Sequence, residues 1–368
     1  ADVTASYTTS GVAGLGDEAV TLNDTSLSAS ALNALDSVTS GTINAASVTA
    51  LAGSAADVTA SYVSSGITGL GSSAVTLTDT TVAASVLIAL DGNTTGIINA
   101  SSVTTLTGSA AELAEVYAST GITGLGSSSN AFSGTTAAAA ELIALDASSA
   151  GAVDASSVLT LTGSAADVAT VYSASGLTGL GNEAVTLSGT TATASEMNAI
   201  NGYTTGTVNA GEILTVTGAL ADLVTMYSAT GFSGLGNEAV TLTDTTSTAT
   251  ALSALDALTT GTINASSVLT LTGTAAAVAT NYASSGITGL GSSAVTLTDT
   301  TAAASALNVI NTGTTGTIDA STVTTLTGTA ADVATSYAST GITGLGNETV
   351  TLSGTTATAA DLNSINAG

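Results

Sequence analysis

Lys, Arg, His, Cys, Pro, Trp and Gln never occur in this chain of 368 residues. Each absence closes a door. With 26 acidic residues and no basic side chain, the formal charge is −26 and no ion pair can form between side chains. Nucleic acid is excluded as a partner, because phosphate recognition needs Lys or Arg. Anionic membrane surfaces are disfavoured on the same ground. Without His, Cys or Lys there is no usual general base, thiolate nucleophile or Schiff-base former. Without Cys there are no disulfides, and the redox compartment cannot be read. No apolar run approaches the roughly 18 residues of a membrane span.

The chain is still built to fold. Hydrophobic residues make up 44% of it and its mean hydropathy is +0.52, whereas disorder by composition needs low hydrophobicity with high charge. The apolar side chains are mostly Ala, Val, Leu and Ile, which suit thin stacked layers.

What is present is periodic. Tyr7, Tyr62, Tyr117, Tyr172, Tyr227, Tyr282 and Tyr337 lie 55 residues apart, and so do seven Gly-Leu-Gly triplets starting at Gly14. Repetition without insertion or deletion is the signature of a solenoid, in which each coil must match its neighbours. The expected fold is therefore an α/β repeat solenoid over residues 1–368, a single array with units beginning at 1, 56, 111, 166, 221, 276 and 331 and the last incomplete. Residues 1 and 368 fall inside repeats and show no polar cap. That pattern suggests a segment of a longer array, or a protomer whose ends stack on copies of itself.

Within the second unit, Ser54 and Asp57 have the spacing of a capping box and predict a helix over 55–65, with Gly66 as its C-cap. Residues 67–70 read as a short extended piece, 71–73 as a turn and 74–78 as a strand. Thr80 and its six equivalents read as the N-cap of a second helix faced by Leu87 and Leu90. Short strands follow at 96–100 and 102–107. Aligning Leu22, Leu51 and Leu77 splits the unit into halves of 29 and 26 residues, each strand, turn, strand, helix, for about 13 coils in all. Strands stack about 4.8 Å apart but helices about 8–10 Å, so the doubled repeat predicts helices on alternate sides of a straight, elongated rod.

The acidic columns decide what chemistry is expected. A glycosidase-type carboxylate pair needs one differentiated site, and here acids recur periodically; the expectation is no enzyme and no catalytic residue. Calcium takes carboxylate and carbonyl oxygens, but no column is acidic throughout. Asp79 and its equivalents alternate with Gly, as turn positions do. Asp57 sits at a helix start and becomes Ala277 in the sixth unit; Asp91 and Asp146 become Asn201 and Asn311. The remaining candidates for cation binding are Asp17, Glu18, Glu183, Glu238 and Glu348, replaced in other units by Ser73, Ser128 and Ser293. Asn99 belongs to a column with Asn44, Asp154, Asn209, Asn264 and Asp319, read as a hydrogen-bond ladder between coils. Tyr62 and its column read as core-edge aromatics with hydroxyls in water, with a carbohydrate-stacking stripe as the alternative. Gly-Leu-Gly is not a phosphate loop, since no Lys follows it.

The consensus in 176–191 and 341–356, with the Val-Thr-Thr-Leu-Thr-Gly of 103–108 and 323–328, resembles tandem repeats of very large secreted or surface proteins of cyanobacteria, marine ones above all. The resemblance spans the whole chain and implies an extracellular structural, adhesive or matrix component without catalytic residues. A surface of acids alone suits seawater, where divalent cations screen it. The expectation is a non-catalytic filament, sheath, surface-layer or adhesin-stalk module that stacks on copies of itself, with solution cations as counter-ions. The alternatives are a calcium-dependent adhesion or binding module and an ice-binding face of threonines.

Overall fold

The computed structural model describes residues 2–8 and 14–368. The chain divides into two compact units, Ala1–Gly163 with Thr170–Ala184 and Ser164–Ala169 with Val185–Gly368. Both are built in the same way. Fourteen helices and thirty-one short strands alternate among the described residues. From Val20 onward they make thirteen strand-bearing coils, as the α/β solenoid reading requires.

Two kinds of coil alternate. The shorter runs through a two-residue strand (Ile98–Asn99), a four-residue strand (Thr105–Gly108) and a nine-residue helix (Ala110–Ala118). The longer one runs through Ile67–Thr68, Ala74–Leu77, a third strand Thr81–Ala83 and a ten-residue helix Ala84–Asn93. With Thr80 as N-cap, residues 81–83 are expected in the first turn of that helix, and they form a strand instead. It carries the chain across to the next sheet, where Thr81–Ala83 pairs with Thr105–Thr107.

All ladders are parallel, and their register is set by 23 or 24 residues: Leu27 pairs with Leu51, Leu51 with Val75, and Val75 with Ile98. The alignment of Leu51 with Leu77 does not survive, because Leu77 stands opposite Gly53. Period-two alternation sends Val75 and Leu77 inward and Ala74 and Thr76 outward. Each helix adds a narrow apolar face, such as Ala84, Leu87 and Leu90, all at 0% exposure. Before the last coil, the core is thus a layer of mainly aliphatic side chains between one sheet face and one helix row.

The helices do not take alternate sides. Consecutive helices pack directly on one another, Ala29–Asp36 on Ala55–Val63 and Ala55–Val63 on Ala84–Asn93 in the first unit, Ala275–Ala283 on Ala304–Gly313 in the second. Helices start at Ala55, Ala84 and Ala110, 29 and 26 residues apart, whereas the strands repeat every 23 or 24. Each helix therefore begins a few residues further along than the strand register alone would place it. Helix starts and strand register thus follow different periods.

Candidate functional site

The columns singled out in the sequence are where coil meets coil, and the structure assigns most of them a different partner from the one expected. Ser54 caps the helix Ala55–Val63 by accepting from Asp57 N at 3.0 Å, and its hydroxyl donates to Asp57 Oδ2 at 2.8 Å. The full reciprocal box forms at Ser109 and Glu112, where the N–H of Ser109 holds the Glu112 carboxyl below its ordinary range. In the unit where Asp57 becomes Ala277, Thr274 still accepts from Ala277 N, so the acid is dispensable for the cap.

Thr80 is not an N-cap. The second helix begins at Ala84, after the third strand, and Ala83 occupies the cap position without a side-chain bond. Thr80 contributes its carbonyl, which accepts from the backbone of both Thr104 and Thr105 in the next coil. In several shorter coils the helix start gains a further bond from a residue 24 positions downstream. Asp79 Oδ2 accepts from Ala55 N at 2.7 Å, Asp244 Oδ2 from Leu220 N at 2.6 Å, and Asp299 from Ala275 N. An acid there meets the positive end of the helix dipole. Local sequence shows only a turn-like Asp; the 24-residue register, once known, identifies its partner.

Gly66 is not the helix C-cap either. Ser64 takes that place in extended geometry, φ −65° and ψ 130°. A Cβ at Gly66 would overlap Asp36 Oδ1 from the preceding coil, and the same crowding recurs at Gly121 against Asp91 and Gly231 against Asn201. Asp36 and Asp91 accept the hydroxyl of the next helix's C-cap serine, from Ser64 and Ser119 at 2.8 Å, and Asn311 accepts that of Ser339. The first glycine of Gly-Leu-Gly is needed for two reasons. Gly69 has φ +92°, and a Cβ there would press on the backbone of Ala46.

Ala46 belongs to the turn made by the asparagine column. Asn99 Oδ1 accepts from Ser101 N at 3.0 Å, and Asn44, Asp154, Asn209, Asn264 and Asp319 repeat the bond two residues ahead. The column is a set of local turns rather than a ladder between coils. The N–H and then the hydroxyl of Ser156 lower the pKa of Asp154, and the hydroxyl and then the N–H of Ser321 lower that of Asp319.

The tyrosine hydroxyls turn inward rather than to water, and their partners depend on the candidate glutamates. Glu183 and Glu238 are 1% exposed. Tyr172 donates to Glu183, Tyr227 to Glu238 at 2.9 Å and Tyr337 to Glu348 at 3.0 Å. Each carboxylate also accepts a glycine N–H two residues back, from Gly181, Gly236 and Gly346; Glu18 takes the one from Gly16, which lowers its pKa. Where serine replaces glutamate, Ser128 and Ser293 donate to Val103 O and Val268 O. The tyrosine then finds another acceptor. Tyr62 reaches Leu70 O and Thr94 Oγ1, and Tyr117 reaches Asn130 Oδ1. Burial raises the pKa of Tyr62 and Tyr282; at Tyr337 burial and then Glu348 push it up to about 12.

Of the cation candidates, then, Glu183, Glu238 and Glu348 bind phenol and amide donors, and Glu18 binds an amide. Asp17 is exposed beside Glu18. No group of three or more acidic side chains that could hold a metal occurs among the described residues. Thr-x-Thr dyads face outward on neighbouring strands, Thr191 and Thr193 beside Thr215 and Thr217. Several such hydroxyls are already bonded to backbone, Thr272 to Ser247 O and Thr327 to Ala302 O among them.

A shallow groove recurs beside the helix starts. One of about 650 Å³ is lined by Leu220, Val224, Asp244, Thr246, Thr248 and Thr272, and another by Ala55, Thr59, Asp79 and Val86. Its carboxylate is the one that caps the helix. No helix among the described residues is long and apolar enough to cross a membrane. No protein-family model and no curated protein matches the chain.

Proposed function

We propose that this is a non-catalytic extracellular structural protein, a filament, sheath, surface-layer or adhesin-stalk module, whose coils stack on one another and on further coils of the same kind. One observation carries the reading. The side chains that persist from unit to unit are those that join a coil to itself or to its neighbour, while each acidic column changes identity. The Tyr hydroxyl keeps a partner although the partner varies among Glu, Asn and main-chain carbonyl. Gly69, Gly124, Gly179, Gly234, Gly289 and Gly344 all crowd the backbone of the turn in the preceding coil, where a Cβ has no room. A repeat conserved in its joints and variable in its ionisable groups is adapted to length rather than to a reaction.

Placement at the cell surface follows from the resemblance of the repeats and from a surface of acids with no cation of its own. Electron microscopy and light scattering of the full chain, in sodium and in sea-water levels of calcium, test the reading. Ordered assemblies that lengthen with concentration are expected. A chain that stays monomeric at every concentration in both salts overturns it. A calcium-specific rise in melting temperature, abolished by chelator, would favour the adhesion module instead.

A further inference from the structure

Where the helix of a longer coil packs on that of the following shorter coil, two side chains 28 residues apart change together. Asn33 faces Ser61, which donates to Asn33 Oδ1 at 2.7 Å, while Asn33 Nδ2 donates to Asp57 O. Asn308 and Ser336 repeat the arrangement, with the hydroxyl on Asn308 Oδ1 at 2.9 Å. In two other units both members are apolar, Ile88 with Val116 and Ile143 with Val171. In one the two polar residues exchange places, and Asn281 Nδ2 donates to Ser253 Oγ at 2.6 Å. The shorter-coil member is buried in every case, Ser61, Val116, Val171, Asn281 and Ser336 at 1% exposure. The exchange has a cost, since Asn281 Oδ1 has no hydrogen-bond partner. Only Asn198 with Met226 mixes the two kinds; there Asn198 keeps its bond to Asp222 O and the pliable thioether covers the rest.

We propose that this pair decides which coil docks on which. A buried amide oxygen left facing an aliphatic side chain loses its hydroxyl donor, and a serine hydroxyl is left with main-chain carbonyls such as the one four residues back, Asp57 O for Ser61 and Asp332 O for Ser336, so a mismatched coil is penalised relative to a matched one. In a chain of near-identical repeats such a rule opposes slippage and exchange between copies. The rule also identifies what fits the face of the helix Ala359–Ala367. That face carries Asn363 beside Leu362, 45% exposed here although its equivalents Leu87 and Leu307 are fully buried. It is continuous in design with the internal interface of Asn308 and Ser336. Its partner is a coil of this repeat presenting Ser, not one presenting Val.

The inference rests on the stacking function proposed above, but its test is covalent and so reads pairing even in a chain that does not self-associate. The full chain is extended beyond Gly368 by a copy of residues 314–353, which brings a Ser336 equivalent, or by a copy of 149–188, which brings a Val171 equivalent. A third form carries Val171→Ser within that second copy. Hydrogen exchange of the amides of 359–367 is measured in all three. The Ser-bearing extension should slow exchange at least tenfold more than the Val-bearing one, and Val171→Ser should restore most of the difference. Equal protection by the first two, failure of Val171→Ser to restore it, or no protection by any, overturns the proposal.

Discussion

The tyrosine column shows how one side chain adapts to changing surroundings. Its ring stays half-buried at the edge of the core, and a phenol in that position must place its hydroxyl on an acceptor. Glu348 serves Tyr337, while Leu70 O and Thr94 serve Tyr62. Both settings raise the phenol pKa, by burial first, and at Tyr337 also by the hydrogen bond and charge of Glu348. The sign for stability follows. A folded pKa above the unfolded value of about 10 means stability that is complete below pH 10 and lost as pH rises through the folded value. Phenolate absorbance should therefore show a step near pH 12 that coincides with loss of secondary structure and is smaller by one phenol in Tyr337→Phe. Titration of every tyrosine together near pH 10, with the fold intact, would contradict this.

At the scale of elements, helices and strands were legible because their signals are local. Ser54 with Asp57 marked a helix start, and the Val75–Leu77 alternation marked a strand. What was not legible depended on register. Thr80 looked like a cap because a threonine before a helix usually is one; three residues of strand intervene because they pair with a coil not yet made. Gly66 looked like a helix end, and its glycine is instead required by a carboxylate from the preceding coil. The inward turn of the glutamates was equally hidden, since a Gly-Asn-Glu segment reads as surface until its tyrosine partner 11 residues earlier is known. Asp244 supplies the test at this scale. It caps Ala219–Leu220 from 24 residues away and is part-buried. Asp244→Ala should lower stability by about 1 kcal/mol in denaturant titration, the usual value of a cap. Glu212→Ala, an exposed acid of equal charge in the same unit, should leave it unchanged or raise it. Equal effects of the two would mean that Asp244 contributes only charge.

Over the molecule as a whole, the charge of −26 is unopposed by a single cation. In most proteins salt weakens attraction and repulsion alike; here, between side chains, there is only repulsion to weaken. Raising sodium chloride from low to sea-water levels should therefore raise the melting temperature steadily, with no range in which it falls. Lowering pH starts with the same benefit, because protonating exposed carboxylates removes repulsion. The benefit must reverse. Glu18, Glu112 and Asp154 have folded pKa values held below their ordinary ones by backbone N–H donors first, and Asp319 by the Ser321 hydroxyl and then its N–H. Groups of that sign stabilise above the unfolded pKa, and the contribution is lost as pH falls through the folded one. The melting temperature should thus climb from pH 7 toward the carboxylate range, about pH 4–5, and drop below it. High salt should flatten the climb and leave the drop in place, since repulsion is screened but the hydrogen bonds of the turns and caps are not. A profile that falls monotonically from pH 7, or a drop that vanishes in salt, would show that long-range charge does not oppose the stacking of these coils.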